Sequence, residues 1–161
     1  MNDNTYVRLY VMCGAPGSGK TTWASTHLSH VFYVSRDDIR FSLLKPGEDY
    51  FSHEKEVWNQ FISKIAHYAN AGRDVCIDAT HINIASRNKL YRSLESWLKV
   101  NYEIHWIVMD TCFSKCLKRN ETREGLQQVP ESAIRNMYDS MSTPTLQEAN
   151  GKVKSVWLIR N

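Results

Sequence analysis

The sequence has no Cys-x-x-Cys paired with a second such element, so Cys13, Cys76, Cys112 and Cys116 do not make a zinc-type framework. They lie in or beside predicted strands and helices and read as reduced, mostly buried thiols. The six histidines, His27, His30, His53, His67, His81 and His105, show no metal-ligand spacing either, and read as surface or packing residues. No apolar run approaches the ~18 residues of a membrane span, and residues 1–5 lack the basic and then apolar layout of a signal peptide. A cytoplasmic protein with no membrane partner is expected. Repeats, low-complexity tracts and long linkers are also missing, so residues 1–161 are expected to form one domain. A net charge of +3 is too small to identify a polyanionic partner by itself.

What the sequence does have is enough apolar material for a core, 42% of its residues with five Trp and eight Tyr among them. Apolar and amphipathic runs alternate from end to end, the pattern of a parallel sheet with helices on both faces. Strands are predicted at residues 6–13, 31–35, 75–77 and 104–109, with a last apolar stretch at 153–159. Helices are predicted at 20–27, 52–71, 85–98, 114–124 and 131–141, and Asp37 and Asp38 open a short one. The 52–71 helix carries an apolar stripe of Trp58, Phe61, Ile62, Ile65 and Tyr68, and the 85–98 helix is expected to bury Leu90, Leu94, Trp97 and Leu98. The expected fold class is a three-layer α/β domain.

Between the first strand and the first helix stands Gly14-Ala15-Pro16-Gly17-Ser18-Gly19-Lys20-Thr21, a full match to G-x-x-x-x-G-K-[ST] in the context that gives this string its mechanism. Glycines let backbone N–H groups curl round phosphates, and the helix N-terminus adds partial positive charge. Lys20 can reach the β- and γ-phosphates, and the Thr21 hydroxyl can ligate Mg²⁺. Mg·ATP is the expected ligand, because no Asn-Lys-x-Asp element for guanine is present: Asn88-Lys89 runs into Leu90-Tyr91.

Ser35-Arg36-Asp37-Asp38-Ile39-Arg40 follows the second strand and should emerge at the carboxyl end of the sheet, where ligands bind in such folds. A carboxylate there can act as general base toward a hydroxyl, and an arginine can grip an anionic acceptor. The same acids also suit the first turn of a helix. Asp78, closing the third strand, stands where a carboxylate can serve Mg²⁺ or its water shell, with Thr80 and Asn83 close behind; turn formation and capping are the plainer roles for these residues. Arg119 and Arg123 lie four apart and share a face of the predicted 114–124 helix. Residues 124–130 after them make a candidate lid.

These residues resemble the kinase domain of bacteriophage-type polynucleotide 5'-kinases. The likeness rests on Gly14 to Thr21 with Thr22-Trp23, on Arg36-Asp37-Asp38-Ile39-Arg40, on Lys118-Arg119-Asn120 with Arg123, and on Pro130, Ile134-Arg135, Met137-Tyr138 and Ser140-Met141. The resemblance implies a P-loop kinase fold with a helical lid. It implies Asp37 as general base, Arg40 on the acceptor's phosphate and Arg123 as the lid arginine on ATP; Arg36, Thr80 and Arg87 are further candidate substrate-binding residues, and Arg119 a candidate on ATP. Where the family often has Asp-Thr-Asn, this chain has Ala79-Thr80-His81, with the acid displaced to Asp78. Bifunctional relatives continue into a phosphatase domain opening with Asp-x-Asp-Gly-Thr; residues 151–159 resemble the approach to it, and a kinase unit without that phosphatase is expected. The expected partner is nucleic acid with a 5'-hydroxyl end. Alternatives are a kinase of hydroxymethyl groups on modified bases in DNA, a small-molecule kinase of a sugar, nucleoside or antibiotic, and a nucleotide-binding regulator without transferase activity.

Overall fold

The structure is a computed structural model and describes residues 5–161. Residues 1–4, part of the segment read for a signal layout, lie outside the described residues. Five strands form one parallel sheet: β1 (Val7–Cys13), β2 (Phe32–Ser35), β3 (Val75–Asp78), β4 (Tyr102–Asp110) and β5 (Val153–Arg160), in the order β2-β3-β1-β4-β5. The helices between them are α1 (Lys20–His27), α2 (Arg36–Leu43), α3 (Glu54–Asn70), α4 (Ile84–Trp97), α5 (Phe113–Glu121) and α6 (Glu131–Asp139).

Side chains alternate across a strand, so β1 feeds two layers at once. Val7, Leu9, Val11 and Cys13 join a cluster with Phe61, Ile62 and Ile65 of α3 and Leu90 and Leu94 of α4. Met12 faces the other way, onto Ala24 of α1 and the following Leu28, with Cys76, Ile107 and Met109 from neighbouring strands. Burial on both faces is why these strands read as nearly continuous apolar runs. With β1 central, the carboxyl ends of β1, β2 and β3 lie side by side: Ser35 is in register with Asp78, and Asp78 with Met12.

Local signals account for several boundaries. Ser35 caps α2 by accepting from the Asp38 N–H at 3.2 Å, and Asp37 and Asp38 fill its first turn. Asn83 caps α4 in a reciprocal capping box with Ser86. Two expectations are corrected. Trp97, at the last position of α4, is exposed, while the following Leu98 packs against the core. Helix α5 stops at Glu121, so Arg123 lies beyond its end rather than on a shared helical face with Arg119.

A candidate phosphate and acceptor cleft

The glycine-rich segment forms a loop that wraps the N-terminus of α1. Gly17 and Gly19 adopt φ of 80° and 95°, which side-chain-bearing residues rarely take. A Cβ on Gly17 would stand 2.5 Å from the Cys116 carbonyl oxygen of α5. The loop's carbonyls are engaged: Arg119 Nη1 donates to Gly17 O at 3.1 Å, and Thr111 Oγ1 and Asn161 Nδ2 donate to Ser18 O at 2.9 and 3.2 Å. Gly14 N–H donates to Thr80 O at 3.0 Å. Ala15 packs with Ile82 and Cys116 beneath the loop. With these carbonyls engaged, the free N–H groups of the first turn of a helix make a cup for an anion. Ser18 Oγ is buried beside Gly14 without a hydrogen-bond partner among the described residues. Lys20 Nζ lies across the loop, donating to Gly14 O and Ala15 O at 2.8 and 3.1 Å.

Thr21 Oγ1 donates to Asp78 Oδ2 at 3.0 Å, which brings together the two residues read as metal ligands. Tyr33 adds a third oxygen, donating to Asp78 Oδ2 and sitting 3.4 Å from Thr21 Oγ1. Burial first, and then the Asp78 charge, push the Tyr33 hydroxyl well above its ordinary range, so it stays a donor. The oxygen pair of Thr21 and Asp78 fits Mg²⁺, a hard cation that takes few protein ligands and completes its shell with water and phosphate oxygens. Among the described residues no group of three or more His, Cys, Asp or Glu stands ready to hold a metal by itself.

A single cavity of about 740 Å³ joins this loop to the acids after β2: Lys20 and Thr21 line it together with Asp37, Asp38, Arg40 and Asp78. Pro16, Thr22, Arg36, Thr80, Arg119 and Arg123 also border it. On the α2 side Arg40 is only 4% exposed. Its Nε and Nη2 donate to the two oxygens of Glu54 at 2.7 and 3.1 Å, and its Nη1 donates to Asp37 Oδ1 and, at 2.9 Å, to the Tyr50 hydroxyl. Tyr50 in turn donates to Asp37 Oδ1 at 2.8 Å. Arg36 Nη2 shares Glu54 Oε2 at 2.6 Å. Burial alone would raise the Glu54 carboxyl, but the two arginines outweigh it and hold it below the usual carboxylate range. Asp38, beside Asp37 and facing Asp78, is raised by burial first and by those two charges next.

Arg87 is the sequence-predicted site residue that the structure keeps out of the cleft. It is 1% exposed, with Nε and Nη2 on Glu148 at 2.9 and 3.0 Å and Nη1 on Ser142 O at 2.8 Å. Its spacing to Leu90, Tyr91 and Leu94 puts it on the buried face of α4, a signal available in the sequence. His81 is a packing residue: its Nδ1 donates to Met12 O at 3.0 Å, and its ring lies near Phe61 and Trp106. The candidate lid is pinned at its base, where Asn120 Nδ2 donates to Val129 O and accepts from Val129 N–H through Oδ1, at 2.7 and 3.0 Å. Tyr33, Tyr50 and Glu54 were not foreseen. Tyr33 had one signal, a place two residues before Ser35 on the same face of β2.

Sheet order, loop and cleft define a P-loop NTPase/kinase architecture. The chain belongs to the AAA domain family, whose model matches residues 9–144. It is 26% identical over 149 residues to a candidate bifunctional polynucleotide kinase/RNA ligase of Autographa californica nuclear polyhedrosis virus, covering 81% of this chain and 20% of that protein. A chain of the Pnkp1/Rnl/Hen1 RNA repair complex superposes with a TM-score of 0.70 at 22% identity, over 95% of this chain and 48% of that one. A sugar kinase from Janibacter sp. HTCC2649 gives 0.65 at 16% identity, over 96% and 85%. A gluconokinase from Sinorhizobium meliloti 1021 gives 0.58 at 15%, over 96% and 83%. The chain thus spans about a fifth of the viral relative and about half of the RNA-repair chain. Its phosphotransferase-type fold is related both to RNA-repair proteins and to small-molecule kinases. Among the described residues no helix is long and apolar enough to cross a membrane.

Proposed function

We propose that this chain transfers the γ-phosphoryl group of ATP to a hydroxyl of a nucleic-acid acceptor, the 5'-hydroxyl of DNA or RNA. The observation that carries the reading is the single cavity in which the phosphate loop and an oriented carboxylate, Asp37, share one space. Asp37 Oδ1 is held by Arg40 and Tyr50, and Oδ2 is the oxygen left to take the proton of the attacking hydroxyl. As the acceptor's hydroxyl oxygen bonds to the γ-phosphorus and gives its proton to Asp37 Oδ2, the bond from phosphorus to the β–γ bridging oxygen breaks and ADP leaves. Lys20, Arg119 and Arg123 are the cations on this side of the cleft that stabilise charge on the phosphates. Thr21 and Asp78 would hold Mg²⁺, which when bound neutralises phosphate charge.

Arg40 takes a different part from that implied by the resemblance. Its donors are engaged by Glu54, Asp37 and Tyr50, which supports a role in orienting the base before any role on an acceptor phosphate. A second reading, a small-molecule kinase, is favoured by the sugar-kinase and gluconokinase likenesses, which extend over most of those chains. The experiment is a transfer assay with γ-labelled ATP against 5'-hydroxyl DNA, 5'-hydroxyl RNA, hydroxymethylated duplex, nucleosides and gluconate. Label on a 5'-hydroxyl oligonucleotide is expected; label on gluconate or a nucleoside alone would replace this reading with the second.

A further inference from the structure

The phosphoryl-transfer chemistry leaves one conspicuous cleft residue unused. Phe51 lines the same cavity as Asp37 and Arg40, yet the residue is 48% exposed. Tyr50 meets it edge-on, with ring centroids 4.7 Å apart and planes at 83°. The Arg40 guanidinium carbon lies 4.4 Å from the Tyr50 ring centroid and 5.8 Å from that of Phe51. The ring is therefore propped by a neighbour that is itself bonded to Asp37, on a residue that lines the cavity and is half exposed.

We propose that Phe51 is the stacking platform for the nucleobase of the acceptor's terminal nucleotide, an inference that rests on the nucleic-acid reading above. A terminal nucleotide carries its 5'-hydroxyl and its base on one sugar, so a hydroxyl delivered to Asp37 brings the base within one nucleotide of that carboxylate. Tyr50, whose hydroxyl is 2.8 Å from Asp37 Oδ1, precedes Phe51 in the chain and touches its ring. Stacking on an aromatic face is indifferent to which base is offered, as an end-processing enzyme requires. A carbohydrate acceptor would demand free hydrogen-bonding groups for several hydroxyls. Here Glu54 is consumed by Arg36 and Arg40, and Asp37 Oδ1 by Arg40 and Tyr50. One turn along α3 from Glu54, Trp58 has the Arg36 guanidinium carbon 5.1 Å and the Lys89 ammonium 4.3 Å from its ring centroid. This second pairing of cations with an aromatic suits the phosphates of following nucleotides.

The test compares two 5'-hydroxyl oligonucleotides that differ only in whether the terminal nucleotide has a base or is abasic, using the full chain and its Phe51→Ala and Phe51→Trp variants. Wild type is expected to show a KM about 5- to 100-fold lower for the oligonucleotide with the base. Phe51→Ala should bring the two within about twofold while leaving the KM for ATP unchanged, and Phe51→Trp should keep the discrimination. If Phe51→Ala loses its cooperative melt, Phe51→Leu, which keeps bulk without a flat π-face, is judged by the same criterion. Wild type that phosphorylates both oligonucleotides equally, or a Phe51→Ala that still discriminates, overturns the platform and leaves the proposed function standing. Transfer to a sugar and to no oligonucleotide overturns both.

Discussion

Replacing Glu54 by Gln keeps the side chain's shape and removes one charge. The carboxylate accepts from Arg36 at 2.6 Å and from Arg40 at 2.7 and 3.1 Å. The Arg40 side chain is 5% exposed and that of Glu54 28%. The pair therefore falls between an exposed bridge, about 0–1 kcal/mol, and a buried one whose disruption costs about 3–5 kcal/mol. In the variant an amide NH₂ faces a guanidinium donor, and Arg36 and Arg40 lose their shared anion, although Arg40 retains Asp37. A loss of about 2–3 kcal/mol follows, which lowers Tm by about 4–12 °C in a chain of this size. Arg40 also aligns Asp37, so the single-turnover rate of transfer should fall while the KM for ATP, set on the loop side, stays put. Calorimetry and rapid-quench kinetics measure the two effects on the same preparation. A Glu54→Gln protein with wild-type Tm and wild-type rate would refute the account of Glu54 as the anchor of the acceptor wall.

Asp37→Asn should bind ATP and acceptor yet lose about 10²- to 10⁴-fold in turnover, with Asp38→Asn much milder; equal losses in steady-state assays would reassign the base. Gly17→Ala forces a Cβ to within 2.5 Å of the Cys116 carbonyl at φ 80°, and should weaken a fluorescent ATP analogue at least about tenfold, since the left-handed conformation alone costs about 1–2 kcal/mol; unaltered affinity in a titration would contradict the loop geometry. Arg87→Met strands Glu148 and should destabilise by about 3–5 kcal/mol in urea unfolding, while the folded fraction keeps its acceptor KM; a selective rise in that KM would return Arg87 to the site. Burial drives His81 down to about 3, so the folded state keeps it neutral while the unfolded chain binds a proton below its ordinary pKa of about 6.5. Its contribution to stability is thus complete above that value and declines toward pH 3, by up to about 1.4 kcal/mol per pH unit. His81→Asn, which tolerates the local φ of 43°, should flatten this part of the urea-midpoint profile, and a profile parallel to wild type would rule the mechanism out.

The layers were legible because their signals are local. The apolar runs of β1 and β4 and the glycine-rich loop between β1 and α1 each lie within a few residues, and the α2 and α4 starts carry their own caps. What escaped depends on distant partners. Glu54 meets Arg40 across fourteen residues of loop and helix, and Tyr33 meets Asp78 across forty-five. No periodicity encodes such a meeting, since the sheet order that creates it is itself set by packing. Arg87 differs: its spacing to Leu90, Tyr91 and Leu94 already places it on the buried stripe of α4, where Glu148 pairs its charge. The spacing of Arg123 from Arg119 suits a helix, but the chain leaves α5 at Glu121, and Asn120 then closes the following loop onto Val129.

The tether on the Ser18 carbonyl has a consequence for how the protein comes into being. The phosphate loop leaves the ribosome well before the side chains that fix its Ser18 carbonyl, Thr111 and Asn161, which lie 93 and 143 residues further on. Strand β1 likewise must wait for β3 and β4 before it has neighbours, and such distant pairings are slow to form. A nascent chain halted before β5 would carry the complete motif and still lack one of the two latches that hold it in shape. The loop therefore reaches its final shape only once Asn161, 143 residues beyond Ser18, has been made and has folded back onto it.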